Sequence, residues 1–156
     1  MNEALIAAWN SVVKRDDLVY HMGDFILGHG DLFDLDEIVS QLNGWIMLVP
    51  GNHDTQRKLD LYQEGALLER LDRIHEIKKP HPMVMSHFPL AVWHQNHKGS
   101  WMLHGHAHGY HKQEGLIMDV GVDTHPEHRP YHYDEVAAIM ATKKQDLPLH
   151  HGVRNA

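Results

Sequence analysis

The sequence predicts a single α/β domain. Two observations predict it: short apolar runs of strand length alternate with segments of helical spacing, and no repeat or linker divides the 156 residues. A chain of that length suits one domain and buries roughly 70% of the surface its unfolded form exposes.

The elements follow in order. The chain opens as a helix, in which Leu5, Trp9, Val12 and Val13 recur at helical spacing while Asn2, Glu3, Asn10 and Lys14 take other faces. Residues 18–22 read as a buried strand, and Gly28-His29-Gly30 makes a loop. Asp34 is placed to cap a helix carrying Leu35, Ile38, Val39 and Leu42, which Asn43-Gly44 ends. Residues 45–49 are apolar on both faces, as an interior strand requires, and Pro50-Gly51 stops them. Residues 55–71 read as a helix interrupted at Gly65. Two strands, 74–78 and 83–85, are joined through Pro80-His81-Pro82. Residues 88–100 have no period and read as a loop over the site that the strand ends would form. Strands follow at 101–103 and at 116–122, the latter broken by Gly121. A short helix over 134–140 closes the domain, and residues 143 onward read as a frayed tail.

Composition removes several function classes. Lys plus Arg is 14 and Asp plus Glu is 21, so the formal charge is 14 − 21 = −7. That balance argues against a broad footprint on the phosphates of DNA or RNA, which needs clustered cations. Bound metal ions would still attract a phosphate locally by reversing the sign of the field. The chain has no cysteine, which excludes disulfides, thiolate zinc sites and cysteine nucleophiles. Its start lacks a basic n-region and no apolar run reaches membrane-spanning length, so the default reading is a cytoplasmic protein with no membrane partner. Histidine is the outlier, at 17 residues spread from His21 to His151 rather than in a terminal tag. Imidazole is the commonest metal ligand, and the excess lies mainly between His75 and His132.

Four boxes follow apolar runs: Gly23-Asp24, Gly51-Asn52-His53-Asp54, Ser86-His87 and Gly105-His106-Ala107-His108. Each has an ordinary explanation by itself. Asp24 could form a turn, Gly51-Asn52 is a common turn dipeptide, and Asp54 could cap the next helix. Ser86-His87 alone says almost nothing, whereas His106 and His108, at i and i+2 beside a glycine, can face a shared ion. Together the boxes place only O and N ligands just past strand ends, where loops converge on one edge of a sheet.

In this combination the chain resembles the calcineurin-like metallophosphoesterases, from its first helix nearly to its end. The full Gly-Asn-His-Asp tetrad and the Gly-His-Ala-His box are the specific elements. The phrases Val19-Tyr20-His21-Met22-Gly23-Asp24-Phe25 and Ser86-His87-Phe88-Pro89-Leu90 look like the small bacterial and phage members. The resemblance implies a sandwich of two β-sheets flanked by helices, and a divalent transition metal (Mn, Fe, Zn, Ni or Co) as cofactor. Two such ions roughly 3.5–4 Å apart need an anionic bridge, which the resemblance assigns to Asp24. Asn52, His87 and His106 would complete the shell of one ion, and His108 would bind the other. The implied reaction is hydrolysis of small phosphodiesters or activated phosphomonoesters by metal-bound hydroxide. His53 would act on the leaving oxygen, and Asp54 would orient His53 and favour its charged form. Arg57 could reach the phosphate from the next helical turn, and a solvated Arg is the commoner reading.

One part of the family pattern is missing. The family carries an Asp-x-His pair on a first strand before the helix that opens this chain, and that pair completes the metal that His108 binds. The expectation is therefore an N-terminally truncated member, with one or two ions per chain. Three readings follow: one metal held by Asp24, Asn52, His87 and His106, a second metal recovered through other histidines, or an inactive fold kept for binding. His21 faces away from Asp24 in a regular strand, while His29, His111 and His125 lie on loops. The missing strand would leave a sheet edge exposed, at which a homodimer could pair.

Overall fold

A computed structural model describes residues 2–26, 32–65, 68–112 and 114–145. Helix α1 (Asn2–Val12) precedes strand β1 (Leu18–His21), then come α2 (Leu32–Val39), β2 (Trp45–Leu48), α3 (Gln56–Glu64) and β3 (Glu69–Arg70). These strands form a parallel sheet ordered β1-β2-β3, with α2 and α3 as the crossovers that parallel pairing requires. A second sheet is ordered β4-β5-β6-β7, from β4 (Ile74–Ile77), β5 (Met83–Ser86), β6 (Trp101–His104) and β7 (Ile117–Asp119). Only the β4–β5 pair in it is antiparallel. Helix α4 (Tyr133–Thr142) ends the described fold. The architecture is two sheets flanked by helices.

Three apolar clusters hold these layers. Trp9 and Val13 at the end of α1 pack with Ile46 and Leu48 of β2 and with Leu59 and Tyr62 of α3. A second cluster joins Met22 and Val49, past the ends of β1 and β2, to Met83, Met85 and Leu103 of the other sheet and to Val136 and Met140 of α4. The third, Val84, Trp93, Met102 and Ile117, takes the alternate residues of β5 and β6. Both faces of these two strands are therefore covered, which explains their unbroken apolar sequence.

Several elements depart from the sequence reading. Residues 55–71 are not one helix, because the Gly65 N–H closes α3 on Leu61 O and Glu69–Arg70 then pairs with Met47–Leu48. Asp34 lies inside α2, which begins at Leu32, rather than before it. Leu5 is 40% and Trp45 69% exposed, so neither contributes to the core their patterns suggested. The 88–100 segment is not all loop: it contains a 3-10 turn (Asn96–Lys98), and it packs Trp93 against β5 and β6. His29 and the tail from residue 146 lie outside the described residues.

Candidate metal centre

The strands deliver the boxes to one place because β1, β2, β5 and β6 each end just before one. Tight approach between those exits explains the glycines. A Cβ on Gly51 would stand 2.2 Å from Asp24 Oδ1, and one on Gly23 would stand 2.5 Å from the Gly51 nitrogen. Gly23 also has φ of +92° and Asp24 φ of +57°, left-handed values that turn the chain sharply out of β1.

Asp54 fixes this turn. It is 1% exposed, and its Oδ2 accepts the backbone N–H of Asp24 at 2.6 Å and of Gly51 at 2.9 Å. Its Oδ1 accepts from the Phe25 N–H at 3.2 Å and from the Tyr62 hydroxyl at 3.3 Å. The sequence reading gave Asp54 the task of orienting His53. The carboxylate instead faces inward and ties the first two boxes together, and no hydrogen bond joins it to His53 among the described residues. Nor does it cap α3, since Thr55 holds that position. Two cations that sequence reasoning missed secure the same loop: Lys58 Nζ donates to His53 O and Ile26 O, and Arg73 donates to Gly51 O.

Four ligand atoms converge above this scaffold. His87 is 3% exposed, and its Nδ1–H donates to Met22 O at 2.6 Å, which leaves Nε2 with its lone pair outward. Around that Nε2 stand Asn52 Oδ1 at 2.9 Å, His106 Nδ1 at 3.1 Å and Asp24 Oδ2 at 3.3 Å. With its proton on Nδ1, a neutral His87 has none to give to Asn52 Oδ1 or Asp24 Oδ2. Ligands held about 2.0–2.2 Å from one ion sit roughly 3.0–3.5 Å from each other. The observed spacings match ligands that share one divalent cation, and the donor set suits a metal of intermediate hardness. Asp24, His87 and His106 also satisfy the convergence expected of a metal-holding group. Phe88 lies edge-on to both imidazoles, with ring centroids 4.9 Å from His87 and 4.5 Å from His106.

The other predicted residues lie nearby with different surroundings. His53 is exposed, lines the cleft beside Asp24, and donates its backbone N–H to Asp24 Oδ1 at 2.7 Å. His108 lines the cleft but is not in the four-atom group. His106 and His108 both have left-handed backbone, φ +62° and +49°, so the segment is not extended and the i, i+2 pair does not project in parallel. His108 Nδ1 instead meets Asp123 Oδ2 at 2.5 Å, and this bond raises the His108 pKa. Arg57 is exposed on α3. His111 packs edge-on against His104, and His125 Nδ1 accepts from the Glu127 N–H, so neither joins the cluster. The cleft has a volume of about 890 Å³ and runs from these residues along β1 toward Tyr133.

Residues 2–152 match the family model of the calcineurin-like phosphoesterases. The chain belongs to that family. The family is one of metal-dependent phosphoesterases. An uncharacterized protein of Methanocaldococcus jannaschii is 32% identical over 114 residues, covering 73% of this chain. The chain spans 57% of the length of that curated relative. A solved structure of a protein of unknown function from Aquifex aeolicus has the same fold, with a TM-score of 0.65 at 21% identity over 88% of this chain and 84% of that one. No described helix is long and apolar enough to cross a membrane.

Proposed function

We propose that this phosphoesterase domain hydrolyses small phosphodiesters or activated phosphomonoesters with a divalent transition metal, Mn²⁺ foremost, held by Asp24, Asn52, His87 and His106. The observation that carries the reading is the meeting of Asn52 Oδ1, His106 Nδ1 and Asp24 Oδ2 around His87 Nε2, on a ring whose Nδ1 proton is committed to Met22 O. When bound, the metal acidifies water and withdraws charge from phosphoryl oxygens.

The chain's own residues supply the rest. Asp24 presents Oδ2 to the cluster while Oδ1 is held by the His53 N–H. The His53 ring stands at the open side of the cleft, where it can give a proton to the departing oxygen. Asp54 acts through Asp24 and is a positioning residue. An open cleft and a net charge of −7 favour small anionic esters over a nucleic-acid backbone.

The test uses bis-(p-nitrophenyl) phosphate with metal-depleted protein. Turnover should appear on adding Mn²⁺, vanish on chelation and be lost in Asp24→Asn. Activity that survives both exhaustive chelation and Asp24→Asn would overturn the metal mechanism. Binding of a phosphoester without turnover under any metal would favour a fold kept for binding.

A further inference from the structure

His108 and Asp123 form a pair that the hydrolytic reading does not use. Asp123 sits in a 3-10 turn (Val122–Thr124) just past β7, and that turn is held from several sides. Asp119, the last residue of β7, accepts the Gly121 N–H on Oδ1 at 3.0 Å and the Gly109 N–H on Oδ2 at 2.9 Å. One carboxylate therefore clamps the turn after β7 to the turn that carries His108. The Thr124 hydroxyl lies 2.7 Å from Gly121 O, and the Tyr131 hydroxyl donates to Thr124 O at 2.9 Å. Space is also set aside for the two acids. A Cβ on Gly121 would stand 2.6 Å from Asp123 Oδ1 and 3.2 Å from Asp119 Oδ1, so a larger residue would push the Asp123 carboxylate from this place.

This framework brings Asp123 Oδ2 to His108 Nδ1. A carboxylate accepts only, so the imidazole must place a proton on Nδ1. We infer that Asp123 is a positioning residue, which fixes His108 in the tautomer with Nε2 bare, so that Nε2 can take a divalent ion in the cleft beside the one held through His87. The inference rests on the metal-dependent reading above. Its physical basis is that a carboxylate on the distal nitrogen of a metal-ligating histidine sets the ring's tautomer and orientation and raises its basicity. A solvated ion pair is the ordinary alternative, because His108 is 70% and Asp123 45% exposed at the side chain. The Asp119 clamp argues against it, since a chance surface pair needs no bond that ties its two turns together.

The experiment compares the parent, Asp123→Ala and Asp123→Asn by two readouts. In chelated protein at alkaline pH, long-range ¹H–¹⁵N correlation reads the His108 tautomer. The parent should carry Nδ1–H, and Asp123→Ala should move the proton largely to Nε2. Calorimetric Mn²⁺ titration should show an affinity loss of about 10–100-fold in Asp123→Ala for the weaker binding phase, with the tighter phase unchanged. Asp123→Asn keeps an acceptor oxygen and should recover part of both signals. An unchanged tautomer in Asp123→Ala, or a normal tautomer shift with both metal phases unaltered, would overturn the inference. A parent that binds a single ion would overturn the His108 ligand role, whereas failure of the parent to bind any metal would remove the reading on which the inference rests.

Discussion

The buried carboxylate of Asp54 accepts the backbone N–H of Asp24 at 2.6 Å, and so holds a non-glycine residue at φ +57°. Left-handed backbone of this kind costs of order 1–3 kcal/mol and persists only where its surroundings enforce it. Asp54→Asn would turn an NH₂ group toward backbone donors. The expected loss is about 3 kcal/mol of stability, or roughly 6–12 °C in Tm for a domain of this size. Mn²⁺ affinity should fall too, because Asp24 loses its fixed position. A variant with parent-like Tm and parent-like metal affinity would show that Asp54 does not hold this turn.

His53→Ala should lower turnover far more than metal affinity, since its side chain lies outside the four-atom cluster. General acid catalysis is typically worth about 10²–10⁴-fold. The loss should be largest for esters with poor leaving groups and small for nitrophenolate, which departs without a proton. Equal losses on both substrates would remove His53 from the acid role.

The parts of this site that sequence made visible are those where chemistry and secondary structure coincide. Asp24, Asn52, His87 and His106 each follow an apolar strand, and parallel pairing aligns the ends of β1 with β2 and of β5 with β6. That the two sheets bring these ends together is not written in any one strand. The direction in which a neighbouring side chain points was not visible. Asp54 is adjacent to His53 yet faces the opposite way, because Gly51, Asp24 and Phe25 present their N–H groups inward. The i, i+2 spacing of His106 and His108 suggested one shared ion, but that inference assumes extended backbone and both residues are left-handed. Glu69–Arg70 has no strand pattern, and only pairing with β2 makes it a strand. Asp123 did leave a signal: in 117–123 an apolar strand is followed by a Gly and then an Asp, as at Gly23-Asp24.

His21 makes stability depend on pH. Its Nδ1 is buried without a hydrogen-bond partner, and burial lowers the imidazole pKa to about 4, only partly opposed by Asp54 and Asp24. The ordinary value is 6.5, so the folded pKa lies below the unfolded one. Above about pH 6.5 both states are neutral there and the contribution is complete. As pH falls toward 4 the unfolded chain takes up a proton that the folded chain refuses, and stability is lost, by about 3 kcal/mol in total for a shift of 6.5 − 4. In chelated protein, urea unfolding at pH 8 and pH 5 should show a smaller difference for His21→Phe than for the parent. The same drop in both would mean that other groups govern the acid limb.

Gly51→Ala isolates geometry from chemistry, because it changes no ligand. The added Cβ would lie 2.2 Å from Asp24 Oδ1 and 2.8 Å from the Asp24 nitrogen, so the carboxylate must rotate or the turn must shift. Either movement withdraws Oδ2 from its place 3.3 Å from His87 Nε2, and also breaks the bond from the His53 N–H to Oδ1. Overpacking of this sort typically costs about 1–3 kcal/mol, which leaves a domain of this size folded. The expected phenotype is a folded protein whose Mn²⁺ affinity falls at least about tenfold, as for loss of a metal-orienting contact. Circular dichroism and Mn²⁺ calorimetry on the same preparation check both halves. A folded Gly51→Ala protein with undiminished Mn²⁺ affinity would show that Asp24 is not held at the metal by the approach of these two loops.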